Sequence, residues 1–264
     1  MTESMQRLID DLRDEHLALD AVVAQIGEEQ WQFATPSPGW SVADQIAHLT
    51  YFDEAAATAM LDPERFRVER DVLFADAIQD GIDESTLAPL RLLNARQLLD
   101  RWRAARRVLD SAAEGLAENA RVEWFGPSMG AKSFLSARLM ETWAHGTDVV
   151  DALDAFRPPT ERLIHIAQLG YNTRRWSYQV RGEIIPDGEV RLELQSPAGV
   201  TWTWGPDAAD DTVSGLAEEF CLVVTQRRHV ENTSLKACAL GTDWLIRAQA
   251  FAGAPTSGPE RIRS

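Results

Sequence analysis

Gly39-Trp40-Ser41-Val42-Ala43-Asp44-Gln45-Ile46-Ala47-His48-Leu49 opens a helix and places a histidine close to its buried side. The preceding run Thr35-Pro36-Ser37-Pro38 cannot be helical, because each proline lacks an N–H and fixes its own φ. Ser41 followed by Asp44 forms a capping-box pair, which satisfies backbone N–H groups that have no partner inside the helix. The spacing then predicts a helix from about Val42 to Met60. His48 stands beside Leu49 and one turn before Phe52, at the inner edge of the apolar stripe.

Upstream, Met5, Leu8, Leu12, Leu19, Val22 and Ile26 keep one apolar face over a first helix. Downstream, Leu90, Leu93, Leu98, Trp102, Ala105, Leu109 and Leu116 predict one long rod, while Leu61 to Asp83 reads as short helix and loop. After Gly126-Pro127 a fourth helix, capped near Ser133, runs through Leu135, Leu139, Trp143 and Val150 to Leu153. Four amphipathic rods with short connections predict a four-helix bundle.

Arg157-Pro158-Pro159-Thr160 punctuates the chain, and a domain boundary is expected there: 1–157 for the bundle, 158–264 for a second domain. Thr160 is read as the cap of a helix reaching Tyr178. Beyond it the period falls to two: Val190, Leu192 and Leu194, then Val200, Trp202 and Trp204 across Pro197-Ala198-Gly199, predict a β-hairpin. A helix from Gly215 to Arg228, a strand from Leu235 to Ala239 and a helix from Thr242 to Ala252 complete a small α+β domain, and the tail after Phe251 is expected to be loose. The predicted fold class is α+β.

With 264 residues, 45% of them hydrophobic, the chain can fill a real core. The formal charge of −15 repels phosphate backbones and anionic lipid, so neither nucleic acid nor membrane is an expected partner. The acidic N-terminal stretch lacks a signal-peptide pattern, and no apolar run suits a membrane span, so a cytoplasmic protein is expected. Cys221 and Cys238 show no redox or zinc spacing and read as core thiols.

On the fourth helix Glu141 and His145 are four apart, so a carboxylate and an imidazole project from one face one turn apart. His48, on a helix that should pack against this one, can face the same spot. Two imidazoles and a carboxylate make a three-ligand zinc set with a position left open. Nickel, iron or manganese suits the same donors. Asp148 shares the face and is expected to orient a ligand from behind or to touch a bound cofactor or substrate. Each residue also has a plainer reading: Glu-xxx-His is an ordinary helix-stabilising pair, and His48 can be a core histidine bonded to a carbonyl. His16 reads as a partly buried side chain, and His165 and His229 have no partner spacing.

The segment from Gly39 to Leu49 resembles the helix-opening motif of the DinB-like metalloprotein superfamily. The run Ser136-Ala137-Arg138-Leu139-Met140-Glu141-Thr142-Trp143-Ala144-His145-Gly146-Thr147-Asp148 resembles the metal-binding helix of its mycothiol-dependent maleylpyruvate isomerase branch. The resemblance implies a DinB-like bundle with zinc on His48, Glu141 and His145. Phe220-Cys221-Leu222-Val223-Val224-Thr225-Gln226-Arg227-Arg228-His229 is similar to the appended, sterol-carrier-like C-terminal domain of that branch, in which an arginine helps close the active site. Arg227 or Arg228 would take that role.

The resemblance implies a mycothiol-dependent isomerase or S-transferase acting on a small electrophile, with zinc lowering the pKa of the bound thiol. Two other readings use the same ligands: a zinc hydroxide that hydrolyses an amide or thiol conjugate, and a metal-dependent binding or stress-response protein without chemistry.

Overall fold

The computed structural model describes residues 2–256 and 258–260, with Asp80 through its backbone alone. The chain divides into two compact units, Met1–Phe156 and Arg157–Ser264.

In the first unit, Thr2 caps α1 (Glu3–Val23), whose buried residues Met5, Leu8, Ile9, Leu12, Leu19 and Val23 form one stripe. The Ser41–Asp44 capping box opens α2 (Val42–Leu61), with both reciprocal bonds formed. Between α2 and the next long rod lie α3 (Pro63–Asp80) and α4 (Ile82–Arg91). The segment from Leu61 to Asp83 is thus mostly one regular helix, started by Asp62 as cap and Pro63 in the first turn.

The single rod expected from Leu90 to Leu116 is two helices. Asn94 caps α5 (Ala95–Gly115) with Gln97 as its capping-box partner, and these local bonds interrupt an apolar pattern that runs through both helices. A short antiparallel pair, β1 (Arg121–Val122) and β2 (Met129–Gly130), leads into α6 (Ala131–Ala152). α6 begins at Ala131 behind Gly130 rather than at a Ser133 cap.

α2 packs on α5 and α6, and α1 packs on α6 and α5, which closes a four-helix bundle; α3 and α4 lie against α2. Leu19, Ile46, Leu49, Leu98, Trp102 and Val149 share its core. Emptying a core site as large as that of Trp102 costs about 3–5 kcal/mol. No helix among the described residues is long and apolar enough to cross a membrane.

The second unit starts with α7 (Leu163–Asn172) and α8 (Arg174–Gln179), a break at Thr173 dividing the helix expected to Tyr178. Thr160 does not cap α7; Arg162 occupies the cap position without a side-chain bond. β3 (Val190–Gln195) and β4 (Thr201–Trp204) form the expected hairpin, with Leu192 opposite Trp204 and Leu194 opposite Trp202.

β5 (Asp211–Leu216) pairs parallel with β3 on its other edge, giving the order β4-β3-β5. The helix expected from Gly215 therefore gives its first residues to a strand, and α9 (Ala217–Val224) starts after it. The expected strand from Leu235 to Ala239 is a single bridge, Ser214 to Lys236, and the last helix, α10 (Ala239–Arg247), begins three residues earlier than expected. α7 can lie tightly on α9 because a Cβ on Gly170 would come within 2.9 Å of the Val224 side chain.

Candidate metal centre

The turn before α2 builds one wall of the site. The Val42 N–H donates to the Phe33 carbonyl at 3.0 Å, and the Thr35 N–H donates to the Trp40 carbonyl at 2.9 Å, so the chain doubles back between Ala34 and Ser41. Gly39 sits at φ 80, a left-handed conformation that a side chain would strain. The turn brings Trp40 over two imidazoles, with ring centroids 5.1 Å from His48 and 5.8 Å from His145, the latter nearly parallel at 16°. Phe52, one turn after His48, lies 4.5 Å from its ring.

α2 and α6 supply the donors. Oε2 of Glu141 lies 3.2 Å from Nε2 of His145 and 4.0 Å from Nε2 of His48. Among the described residues, His48, Glu141 and His145 are the group of His, Cys, Asp or Glu able to hold a metal, with ligand atoms all within 4.8 Å of one another. Bonds of about 2.0–2.1 Å to a tetrahedral zinc imply ligand atoms roughly 3.3 Å apart. The donors therefore fit such an ion in type, and the Glu141–His145 separation of 3.2 Å matches its spacing, while His48 at 4.0 Å stands wider.

The centre is sheltered and not sealed: the side chains of His48, Glu141 and His145 are 17%, 24% and 10% exposed. Burial by itself would raise the pKa of Glu141. The hydrogen bond from His145, and the charges of His145, His48 and Arg138, outweigh it and bring the carboxyl down to about 2. Glu141 is an anion at neutral pH.

Gln45 was not a candidate in the sequence, yet its side-chain oxygen meets Nδ1 of His145 at 2.5 Å. Its one sequence signal is position: a buried amide three residues before His48 shares that histidine's helix face. Asp148, expected to serve this kind of role, is buried and accepts a hydrogen bond from Ser37 Oγ at 3.0 Å. It thereby ties α6 to the turn that carries Trp40.

Arg227 and Arg228 belong to the second unit, just past α9, where Gln226 adopts φ 58 and ends the helix. Arg227 Nη1 donates to the Thr225 carbonyl at 2.8 Å, and Arg228 Nη1 to the Arg227 carbonyl at 3.1 Å. The three candidate ligands come from the first unit alone.

The profile of the mycothiol maleylpyruvate isomerase N-terminal domain family matches residues 12–150. Two strains of Mycobacterium tuberculosis, CDC 1551 and H37Rv, each carry an uncharacterized protein 42% identical over 252 residues, covering 94% of this chain and 96% of the relative. The crystal structures of the mycothiol-dependent maleylpyruvate isomerase and of a histidine-to-alanine mutant of it superpose with TM-scores of 0.59 and 0.58. These matches cover 89% of this chain and 92% of the other, at 17% and 16% identity, and so speak for the fold alone.

Proposed function

Because the chain belongs to the mycothiol maleylpyruvate isomerase N-terminal domain family, we propose that it is a metal- and thiol-dependent enzyme acting on a small electrophile. In this reading His48, Glu141 and His145 hold zinc or another divalent metal, and the thiol cofactor is mycothiol or a low-molecular-weight thiol like it. The observation that carries the reading is the convergence of two imidazole nitrogens and one carboxylate oxygen at a partly open position. When bound, the metal supplies a positive charge that lowers the pKa of a coordinated thiol, so that thiolate forms at neutral pH.

The protein's own part is to orient and to shelter. Glu141 offsets one unit of metal charge and stays ionised in its partly exposed setting. Trp40 and Phe52 flank the imidazoles and keep water from their faces. The same rings offer apolar surface to the carbon skeleton of the acceptor, which is the place proposed for the electrophile. Arg227 or Arg228 is proposed, on the resemblance alone, to hold a carboxylate of that acceptor.

The test uses protein purified without a metal-affinity tag. Elemental analysis should find about one equivalent of a transition metal in the parent and none in His145→Ala. The zinc form should then bind mycothiol and consume members of a panel of small electrophiles. A zinc-loaded parent that neither binds mycothiol nor transfers or isomerises anything in the panel overturns the enzymatic reading. Hydrolytic products instead would assign the centre to hydrolysis.

A further inference from the structure

We infer that Gln45 is a positioning residue that fixes the tautomer of His145, and that Thr35 and the Trp40 carbonyl hold Gln45 in the orientation this needs. The argument follows hydrogen-bond polarity outward from a group with only one role. A backbone carbonyl can only accept, and that of Trp40 takes both the Thr35 N–H at 2.9 Å and the Thr35 hydroxyl at 3.0 Å. With its proton committed there, Thr35 Oγ1 turns a lone pair to Gln45, whose Nε2 donates to it at 2.9 Å. The amide nitrogen is thereby aimed at Thr35, and the amide oxygen is left facing Nδ1 of His145.

An amide oxygen also can only accept, so the proton of a neutral His145 ring sits on Nδ1 and the bare nitrogen is Nε2. Nε2 is the atom that faces Glu141 at 3.2 Å. A lone pair and a carboxylate oxygen at that separation repel unless a cation or a proton stands between them. The relay Trp40–Thr35–Gln45–His145 therefore presents Nε2 as a ligand before any metal arrives.

Gln45 is fully buried and His145 nearly so, which leaves little room for water to replace either partner. Reversing the chain requires the amide to turn over and the Thr35 hydroxyl to leave the Trp40 carbonyl. The inference rests on His145 being a metal ligand and is indifferent to which thiol or electrophile the enzyme uses.

Two readouts test it, neither of them activity. The first is the 15N spectrum of His145 in zinc-loaded parent protein, which should show the proton on Nδ1. A proton on Nε2, with Nδ1 on the metal or bare, overturns the relay without any substitution being made. The second is zinc affinity by competition with a chromophoric chelator, with melting curves to establish that each variant folds.

Gln45→Leu should weaken zinc binding about 10–100-fold, the usual effect of removing the partner behind a ligating histidine. Gln45→Glu keeps an acceptor at the same place and should restore affinity toward the parent value, while Thr35→Val should cost less than Gln45→Leu. A Leu variant that binds zinc like the parent refutes the inference. So does a Glu variant that falls as far as the Leu variant, since packing alone would then explain the loss. His145→Ala separates the two levels: metal retained there sinks the metal centre itself. Metal lost there but undiminished in Gln45→Leu sinks only the role given to Gln45.

Discussion

The triad at His48 and the cluster around Asp53 share α2 and α6, the second adding His16 of α1 and Trp102 of α5, and each sets a carboxylate beside histidine. At Asp53 the protein supplies the positive charge itself. Arg138 Nη2 donates to Oδ1 at 2.8 Å, Trp102 Nε1 donates to Oδ2 at 3.2 Å, and His16 Nε2 lies 3.5 Å from Oδ2. All four side chains are buried. At Glu141 the neighbours are two imidazoles, and solvent reaches the group. A carboxylate balanced by a guanidinium inside the fold stabilises the fold. One set beside two imidazoles at a partial opening places three donors where a cation from outside could reach them.

The largest expected effects set these two clusters against each other. Glu141→Ala should lose the metal and keep a cooperative melting transition, because the group is at the edge of solvent and its removal strands no buried cation. Asp53→Ala should lower the free energy of unfolding by about 3–5 kcal/mol, since it leaves Arg138 buried without its partner. Metal content and denaturant unfolding on the same two variants check the contrast. Metal retained in Glu141→Ala would make the triad another internal cluster of the Asp53 kind.

Acid sharpens the same contrast. Burial would raise the pKa of Asp53, but the charges and hydrogen bonds of Arg138 and His16 carry it below the ordinary 3.8 to about 2. A depressed carboxylate contributes stability above its unfolded pKa and loses it as pH falls through the folded one. The contribution, about 2 kcal/mol by that linkage, should be intact at pH 5 and vanish between pH 4 and pH 2. Asp53→Asn should be less stable than the parent at pH 5, and its unfolding free energy should fall less between pH 4 and pH 2. Parallel pH profiles for parent and variant would show that Asp53 does not carry this part of acid unfolding.

Most of the bundle is legible in the sequence, because its signals are local. The proline-rich break before Ser41, the capping box and the four-residue spacing of Glu141 and His145 each act within a turn or two of helix, and each has its counterpart in the structure. What escaped the sequence depends on distant partners or on competing local bonds. Gln45 finds His145 100 positions away, and its helix offers only the shared face with His48 as a sign of that meeting. β5 has Val213 as its buried mid-strand apolar residue and pairs with β3 in parallel, so its alternation is too short to separate from the helix that follows. At Asn94 a local cap interrupts an apolar pattern that would otherwise read as one rod. The bearing of Arg227 and Arg228 on the site rests on resemblance, since arginine after a helix has many uses.

The smallest expected effect belongs to Asp148, and it decides what the open side of the triad is for. Asp148 is three residues past His145 on α6, yet the bond drawn to its Oδ2 comes from Ser37, in the turn that carries Thr35 and Trp40. Through this bond Asp148 holds the turn that holds the relay. Asn keeps an acceptor oxygen for Ser37, so Asp148→Asn should retain its metal and stay within about 1 kcal/mol of the parent in stability. Elemental analysis and thermal melting of one preparation read both quantities. Retention leaves a coordination position for a thiol, as transfer chemistry needs. Loss of the metal in a well-folded Asp148→Asn would make that carboxylate a fourth protein ligand; a centre saturated by its own side chains binds and does not catalyse.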